Sequence, residues 1–308
     1  MSEKALKAAF GVMLGLVIVY AIVLLTDGDG GGSHEGEALA RAFGAVTESS
    51  VTSVVIDGPA ETIELERRDG GWTVNSHATD SAAVARFWTA LADFRVQSLV
   101  AANPANHARL GVAADSTWRL TLNDGNGEVA SILLGNPGTS FSGAYARLPG
   151  EDAVYLIEGG LRGAAARRVD DWRDRTILAV DTAAVARVTV RRSAASRTLE
   201  RTLLGWSVEG SAADTVILRG ILAELAGLEA SGFADPARPF EGPDSRAVII
   251  ESASGDTLGV VEIVGEEGAF VARTPGGATL FDLSGFRVDR IAPELADLEA
   301  RPDSAATP

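Results

Sequence analysis

The sequence predicts an α+β fold of mainly antiparallel sheet, built as two tandem repeats, each sheet covered by a helix, after one N-terminal transmembrane helix. Three observations predict it. The chain matches itself at an offset of 134 residues; short alternating segments separated by turn signals recur in both copies; and a single apolar run occupies the N-terminus. The expected organisation is a cytoplasmic stub and anchor at 1–25, a linker at 26–47, one repeat at 48–180, a second at 181–300, and a tail at 301–308.

The apolar run covers residues 8–25, flanked by Lys4 and Lys7 before it and by Asp27 and Asp29 after it. As a helix it would be roughly 27 Å long, close to the hydrocarbon thickness of a bilayer once Lys7 snorkels. Lys4 and Lys7 are the only lysines in the chain. Positive charge is retained on the cytoplasmic side, so the N-terminus is expected inside and the body outside, periplasmic where there are two membranes. A cleavable signal peptide would have a shorter apolar region and a small-x-small cleavage site, whereas this run ends Val23-Leu24-Leu25-Thr26-Asp27. Gly11 and Gly15 have the spacing that lets two membrane helices approach closely, so they are where a homodimer would form.

Residues 26–36 are rich in Gly and Asp and are expected to be a flexible linker reaching about 17–20 Å. A short amphipathic helix is expected over 38–46 through Leu39, Phe43 and Val46. The body then begins its first copy. Residues 51–94 align without a gap to 185–228, with 13 identities in 44 positions. These include Leu65-Glu66-Arg67 with Leu199-Glu200-Arg201, Gly71-Trp72-x-Val74 with Gly205-Trp206-x-Val208, and Asp80 with Asp214.

Each copy opens with alternating segments, 51–57, 61–67 and 72–75 in the first, which suit antiparallel strands with one wet face. A helix follows, with Asp80 or Asp214 placed to accept the orphan backbone N–H groups of its first turn. Val84, Phe87, Trp88 and Leu91 in one helix, and Ile217, Leu218, Ile221, Leu222 and Leu225 in the other, form one apolar face. Hairpins come next. Asp124-Gly125-Asn126-Gly127 separates 118–123 from 128–134, and Ser254-Gly255-Asp256 separates 247–251 from 257–264. A further pair, 144–148 with 153–157, corresponds to 269–273 with 279–283. The expected order in each copy is three strands, a helix and four more strands.

Composition narrows function. A hydrophobic fraction of 46% supports a folded core, and a net charge of −15 argues against nucleic acid and anionic headgroups as partners. The absence of cysteine excludes a disulfide framework, a thiol nucleophile and a thiolate metal site. His34, His77 and His107 lack metal-ligand spacing. Gly138-Thr139-Ser140-Phe141-Ser142-Gly143 has the wrong spacing for a nucleophile elbow and reads as a loop between hairpins. Asp27-Gly28-Asp29-Gly30 resembles the start of a calcium loop, but its twelfth position is Ala38 where a bidentate acid is needed. Arginines 167, 168, 173 and 175 could grip an anion, but Asp170, Asp171 and Asp174 can satisfy them locally, so a salt-bridged connector is expected. Trp72 and Trp206 occupy matching positions and are expected in the core. No catalytic, cofactor-binding or metal-ligating residue is assigned, and no cofactor.

The N-terminal anchor, the Gly-Trp-x-Val strand, the amphipathic helix and Leu110-Gly111-Val112 before a hairpin together resemble the bacterial domain-of-unknown-function family numbered 4340. Phe240-Glu241-Gly242 stands at the Leu110-Gly111-Val112 position of the second copy. The resemblance implies an envelope protein associated with ABC-type transporters of the gliding-motility auxiliary kind, with no established enzymatic activity. The expected function is therefore a noncatalytic, single-pass, inner-membrane accessory or scaffold protein whose partner is a membrane protein such as a transporter permease. The alternatives are an envelope-acting hydrolase with acidic catalytic residues, or a small-molecule or glycan receptor.

Overall fold

The computed structural model describes residues 31–266 and 268–300. The apolar run at 8–25, Gly11, Gly15 and the tail from 301 lie outside them, and no helix among the described residues is long and apolar enough to cross a membrane. The chain divides into two compact units, Met1–Asp174 and Arg175–Pro308. Every strand pairing in both is antiparallel, and with the few helices this makes an α+β fold.

The first element among the described residues is helix α1, Gly31–Gly44. The expected coil is thus helical from Gly31, because Leu39 and Phe43 have a core to enter: both are fully buried, and Phe43 lies 5.3 Å from the Phe94 ring. Strands β1 (Ser53–Asp57), β2 (Thr62–Arg68), β3 (Gly71–Val74) and β4 (His77–Ala78) form a meander. Helix α2, Ser81–Ala92, follows; the Asp80 carboxylate accepts the Ala82 N–H at 2.8 Å, as its position suggested. Its Val84, Phe87, Trp88 and Leu91 are all buried, as the helical spacing requires. Then come β5 (Arg95–Ala101), the one-turn helix α3 (His107–Leu110), and β6 (Trp118–Asp124), β7 (Gly127–Pro137), β8 (Ala144–Arg147) and β9 (Val154–Glu158). The short helix α4, Leu161–Ala165, closes the sequence of elements.

The nine strands form one sheet in the order β4-β3-β2-β1-β6-β7-β8-β9-β5. One face carries Val54, Ile56, Ile63, Leu65, Leu120, Leu122, Ile132, Leu134, Tyr155 and Ile157 into a core with α1 and α2. Val154, of opposite parity to Tyr155, joins Leu110 and Val112 in a small second cluster. Gly111 stands between those two residues at φ 71°, and a Cβ there would come within 2.8 Å of the Asn136 backbone nitrogen, so only glycine makes this turn. Trp172 plugs the core at zero exposure, its ring 5.8 Å from Phe87.

The second unit, by itself, has strands β11 (Val185–Arg192), β12 (Ala195–Thr202), β13 (Gly205–Val208) and β14 (Ser211–Ala212), then helix α5, Thr215–Leu225. Asp214 caps that helix, accepting from Val216 N–H at 2.8 Å and Ile217 N–H at 3.0 Å. Strands β16 (Gly232–Phe233), β17 (Asp244–Ser252), β18 (Thr257–Glu266), β19 (Ala269–Arg273) and β20 (Phe281–Ser284) and helix α6 (Gly285–Ile291) complete it. The sheet order is β14-β13-β12-β11-β17-β18-β19-β20-β16. A separate pair joins β10 (Thr176–Leu178) to β15 (Leu228–Glu229).

Two local arrangements recur in both units. Arg67 pairs with Trp72 across β2 and β3, and Arg201 with Trp206 across β12 and β13, each guanidinium lying about 6 Å from its indole (5.9 Å and 6.0 Å). The Asp80 N–H donates to the Trp172 carbonyl at 2.8 Å, and the Asp214 N–H to the Leu298 carbonyl at 2.9 Å. Both sheets hold more strands than the expected three plus four. The extra ones are the two-residue β4 and β14 and the closing strands β5 and β16, and β5 is largely exposed, so it lacks the alternation that marks a half-buried strand. Trp72 and Trp206 are half-buried at the core margin rather than sealed inside, and the Trp72 Nε1 donates to Glu48 at 2.9 Å.

Candidate functional site: an arginine-lined cleft in the first unit

Strand β7 leaves the sheet at Pro137, and residues 138–143 return to β8 as a compact loop. The Gly138 N–H donates to the Gly143 carbonyl at 2.8 Å, and the Gly143 N–H to the Ser140 carbonyl at 3.2 Å. Glu158, at the end of β9, braces the loop from beneath: its carboxylate accepts from the Ser140 hydroxyl and, at 2.6 Å, from the Ser142 hydroxyl. With both hydroxyls committed downward, Phe141 is left at the apex, fully exposed.

The chain then turns from β9 into α4 through Gly159 and Gly160. At Gly159, φ is 109° and a Cβ would lie 2.4 Å from the Asp93 carbonyl oxygen, so glycine there lets the end of α2 approach. The result is a cleft of about 630 Å³, a volume in the range of small-ligand and peptide-segment sites. Its apolar floor comes from Ala85, Ala90, Pro137 and Ala164, with Phe141 on the rim and Arg86, Arg162 and Arg167 as its cations.

These arginines are held by weak or neutral partners. The Arg162 Nε donates to the Gly135 carbonyl, the Arg167 Nε donates to the Gly163 carbonyl at 3.0 Å, and Arg86 is 3.4 Å from Asp80. Burial pushes the Arg162 guanidinium below its ordinary value, so an arriving anion would relieve a desolvated charge. Asp93 is the single carboxylate in the lining. Chemically the cleft can bind a group that combines an anion with apolar surface, the anion gripped by guanidinium forks and the remainder against Phe141 and the alanines.

The two hydroxyl hydrogen bonds hold the Glu158 carboxyl below the usual range. A carboxylate held ionised this way suits a brace, and a general acid needs the opposite shift. Because the folded value is depressed, the loop's support is complete above the ordinary glutamate value and is lost as pH falls through the lowered one. In an NMR titration Glu158 is expected to titrate below the ordinary value, and S140A/S142A to restore it. An ordinary value in the native chain would contradict the brace.

The sequence-level candidates land in different places. The serine-bearing loop is a loop, as its spacing indicated, but it forms one wall of the cleft. The arginine-rich connector divides: Arg173 pairs with Asp170 at 3.3 Å and the Arg168 N–H donates to Asp171 at 3.3 Å, while Arg167 joins the cleft. His107 contacts the Asp152 carbonyl at 2.9 Å, and among the described residues no group of acids and histidines is arranged to hold a metal ion. Arg86 and Arg162 were not singled out by sequence, since each is an isolated arginine within a helix and only the fold joins them.

A search for similar proteins among those curated and among solved structures found no match. A family model does match, over residues 72–245, running from β3 of the first unit past the cleft and into β17 of the second. On that match the chain belongs to the family described as Domain of unknown function (DUF4340).

Proposed function

We propose that this chain is a noncatalytic accessory subunit, anchored on the extracytoplasmic side of the inner membrane by residues 8–25, that uses the first-unit cleft to hold an acidic and apolar segment of a membrane protein. The observation that carries the reading is the pairing of a fully exposed, braced Phe141 with three arginines that lack strong carboxylate partners. In a chain of net charge −15 such a site is a local exception, and exposed aromatics beside arginines are what anchor protein interfaces. The family resemblance makes an ABC-type transporter permease the first expected partner. We take the two units to be copies of one duplicated module, on the strength of the matched strand orders and the paired Arg–Trp and Asp-cap geometries.

Reach supports a partner in the same bilayer. Only residues 26–30 lie between the apolar run and the described part of helix α1, so they can separate the two by no more than about 20 Å whatever their conformation. A small-ligand receptor is the second reading, favoured by the cleft's volume.

The test is co-purification of the tagged full-length chain from membranes in mild detergent. Charge reversal by R162E/R167E is expected to reduce the recovered membrane protein about tenfold or more, the loss of roughly 1.4 kcal/mol or greater. F141A, which touches no core, should weaken it without changing thermal unfolding. Undiminished recovery with both variants would remove the cleft from the account.

A further inference from the structure

The second unit carries an apolar feature that neither its core nor the cleft explains. Leu203 and Leu204 are the two turn residues between β12 and β13, where Thr202 faces Gly205 across the ladder. Such turns are normally filled by Gly, Asn or Asp. Here both leucines are fully exposed, at 105% and 101% of their free surface. The turn is secured from within: the Thr202 hydroxyl donates to the Gly205 carbonyl at 2.8 Å and accepts the Leu204 N–H at 3.2 Å. The leucine side chains take no part in holding the hairpin, so the fold projects them.

We propose that this hairpin tip inserts into the extracytoplasmic leaflet of the lipid bilayer, a proposal that rests on the anchored topology given above. Three features favour lipid over a protein pocket. The apex is convex and purely aliphatic, a shape suited to a deformable hydrocarbon layer. Directly behind it stand Arg201 and Trp206, 6.0 Å apart, a cation and an indole at the depth where headgroups lie. From Arg201 to Trp206 there is no carboxylate, although the chain is strongly acidic; the matching tip of the first unit, Asp69-Gly70, is polar and carries an acid. Val216, in the first turn of α5, is a further exposed apolar residue of this unit. Two leucines bind a membrane weakly alone, but tethering by an anchor makes the second contact intramolecular.

The chain has no cysteine, so single positions can be labelled cleanly. The full-length protein, carrying L204C labelled with an environment-sensitive fluorophore, is reconstituted into phosphatidylcholine vesicles with and without spin-labelled lipid. D69C is the control. A blue-shifted emission at 204 that is quenched by spin-labelled lipid, with water-like and unquenched emission at 69, is expected. Water-like emission at 204 would overturn the proposal, and so would a blue shift that lipid quenchers leave untouched, which marks burial against protein or a second copy. Alkaline extraction of the same vesicles reports the anchor separately. A chain that washes off overturns the anchored topology, and quenching at 204 on re-addition of vesicles then still decides whether the tip enters lipid.

Discussion

Replacing Trp172 with alanine is expected to destabilise the first unit by about 3–5 kcal/mol. The indole is fully buried and packs edge-on against Phe87, which in turn packs at 5.2 Å against Trp88. Its carbonyl receives the N–H of Asp80, the residue that caps α2, so the same position fixes both the core and the start of the helix that lines the cleft. Removing the ring leaves a cavity beside Phe87 of α2. Urea unfolding followed by circular dichroism measures the effect; a loss below about 1 kcal/mol would show that the ring is not a core element.

In the second unit, Arg246→Ala is expected to cost about 2–4 kcal/mol, below the full penalty for breaking a sealed ion pair because Asp289 is well exposed. The Arg246 side chain is only 6% exposed. It donates to both Asp244 oxygens, to Asp289 at 2.8 Å, and to the Ala292 carbonyl that ends α6 at 3.0 Å, and it lies 5.2 Å from the Phe270 ring centre. Burial alone would lower its pKa, but the hydrogen bonds to Asp244 and Asp289 outweigh this and raise it, while Arg246 holds the Asp244 carboxyl below its ordinary value. Arg246→Met, which keeps the apolar stem, should recover part of the loss. If alanine and methionine are equally mild, the ion-pair network contributes little to the fold.

The regular parts of this fold are legible from local signals because their physics is local. The caps at Asp80 and Asp214, the apolar faces of α2 and α5, and the turns at Asp124-Gly125-Asn126-Gly127 and Ser254-Gly255-Asp256 each depend on neighbours a few residues away. Strand β5 escapes that reading because it is held by pairing with distant β9, and its side chains are mostly wet. Trp172 escapes it for a different reason. It sits inside a run of arginines and aspartates that suggests a solvated connector, and its burial follows only from α2 passing overhead. The glycines at 31, 32 and 36 within α1 run against the low helix propensity of glycine, and tertiary burial of Leu39 and Phe43 supplies the stabilisation.

The cleft was legible in pieces. The serine loop and the arginine run both stand out in the sequence, yet their relation depends on Gly159 letting Asp93 approach and on Glu158 reaching two hydroxyls. Neither condition has a sequence period. Composition alone could exclude thiolate chemistry and a basic nucleic-acid footprint, but the identity of a binding surface resides in which isolated residues the sheet and helices bring together.

The most direct measurement of the central claim is photocrosslinking in intact membranes from a photoreactive residue placed at Phe141 in the full-length chain. The account predicts a crosslink to an integral membrane protein that is lost on R162E/R167E and absent when the photoreactive residue is moved to Asp69. No crosslink from 141 to a membrane protein, together with turnover of an envelope substrate abolished by a single Asp or Glu substitution that leaves the fold intact, would contradict it.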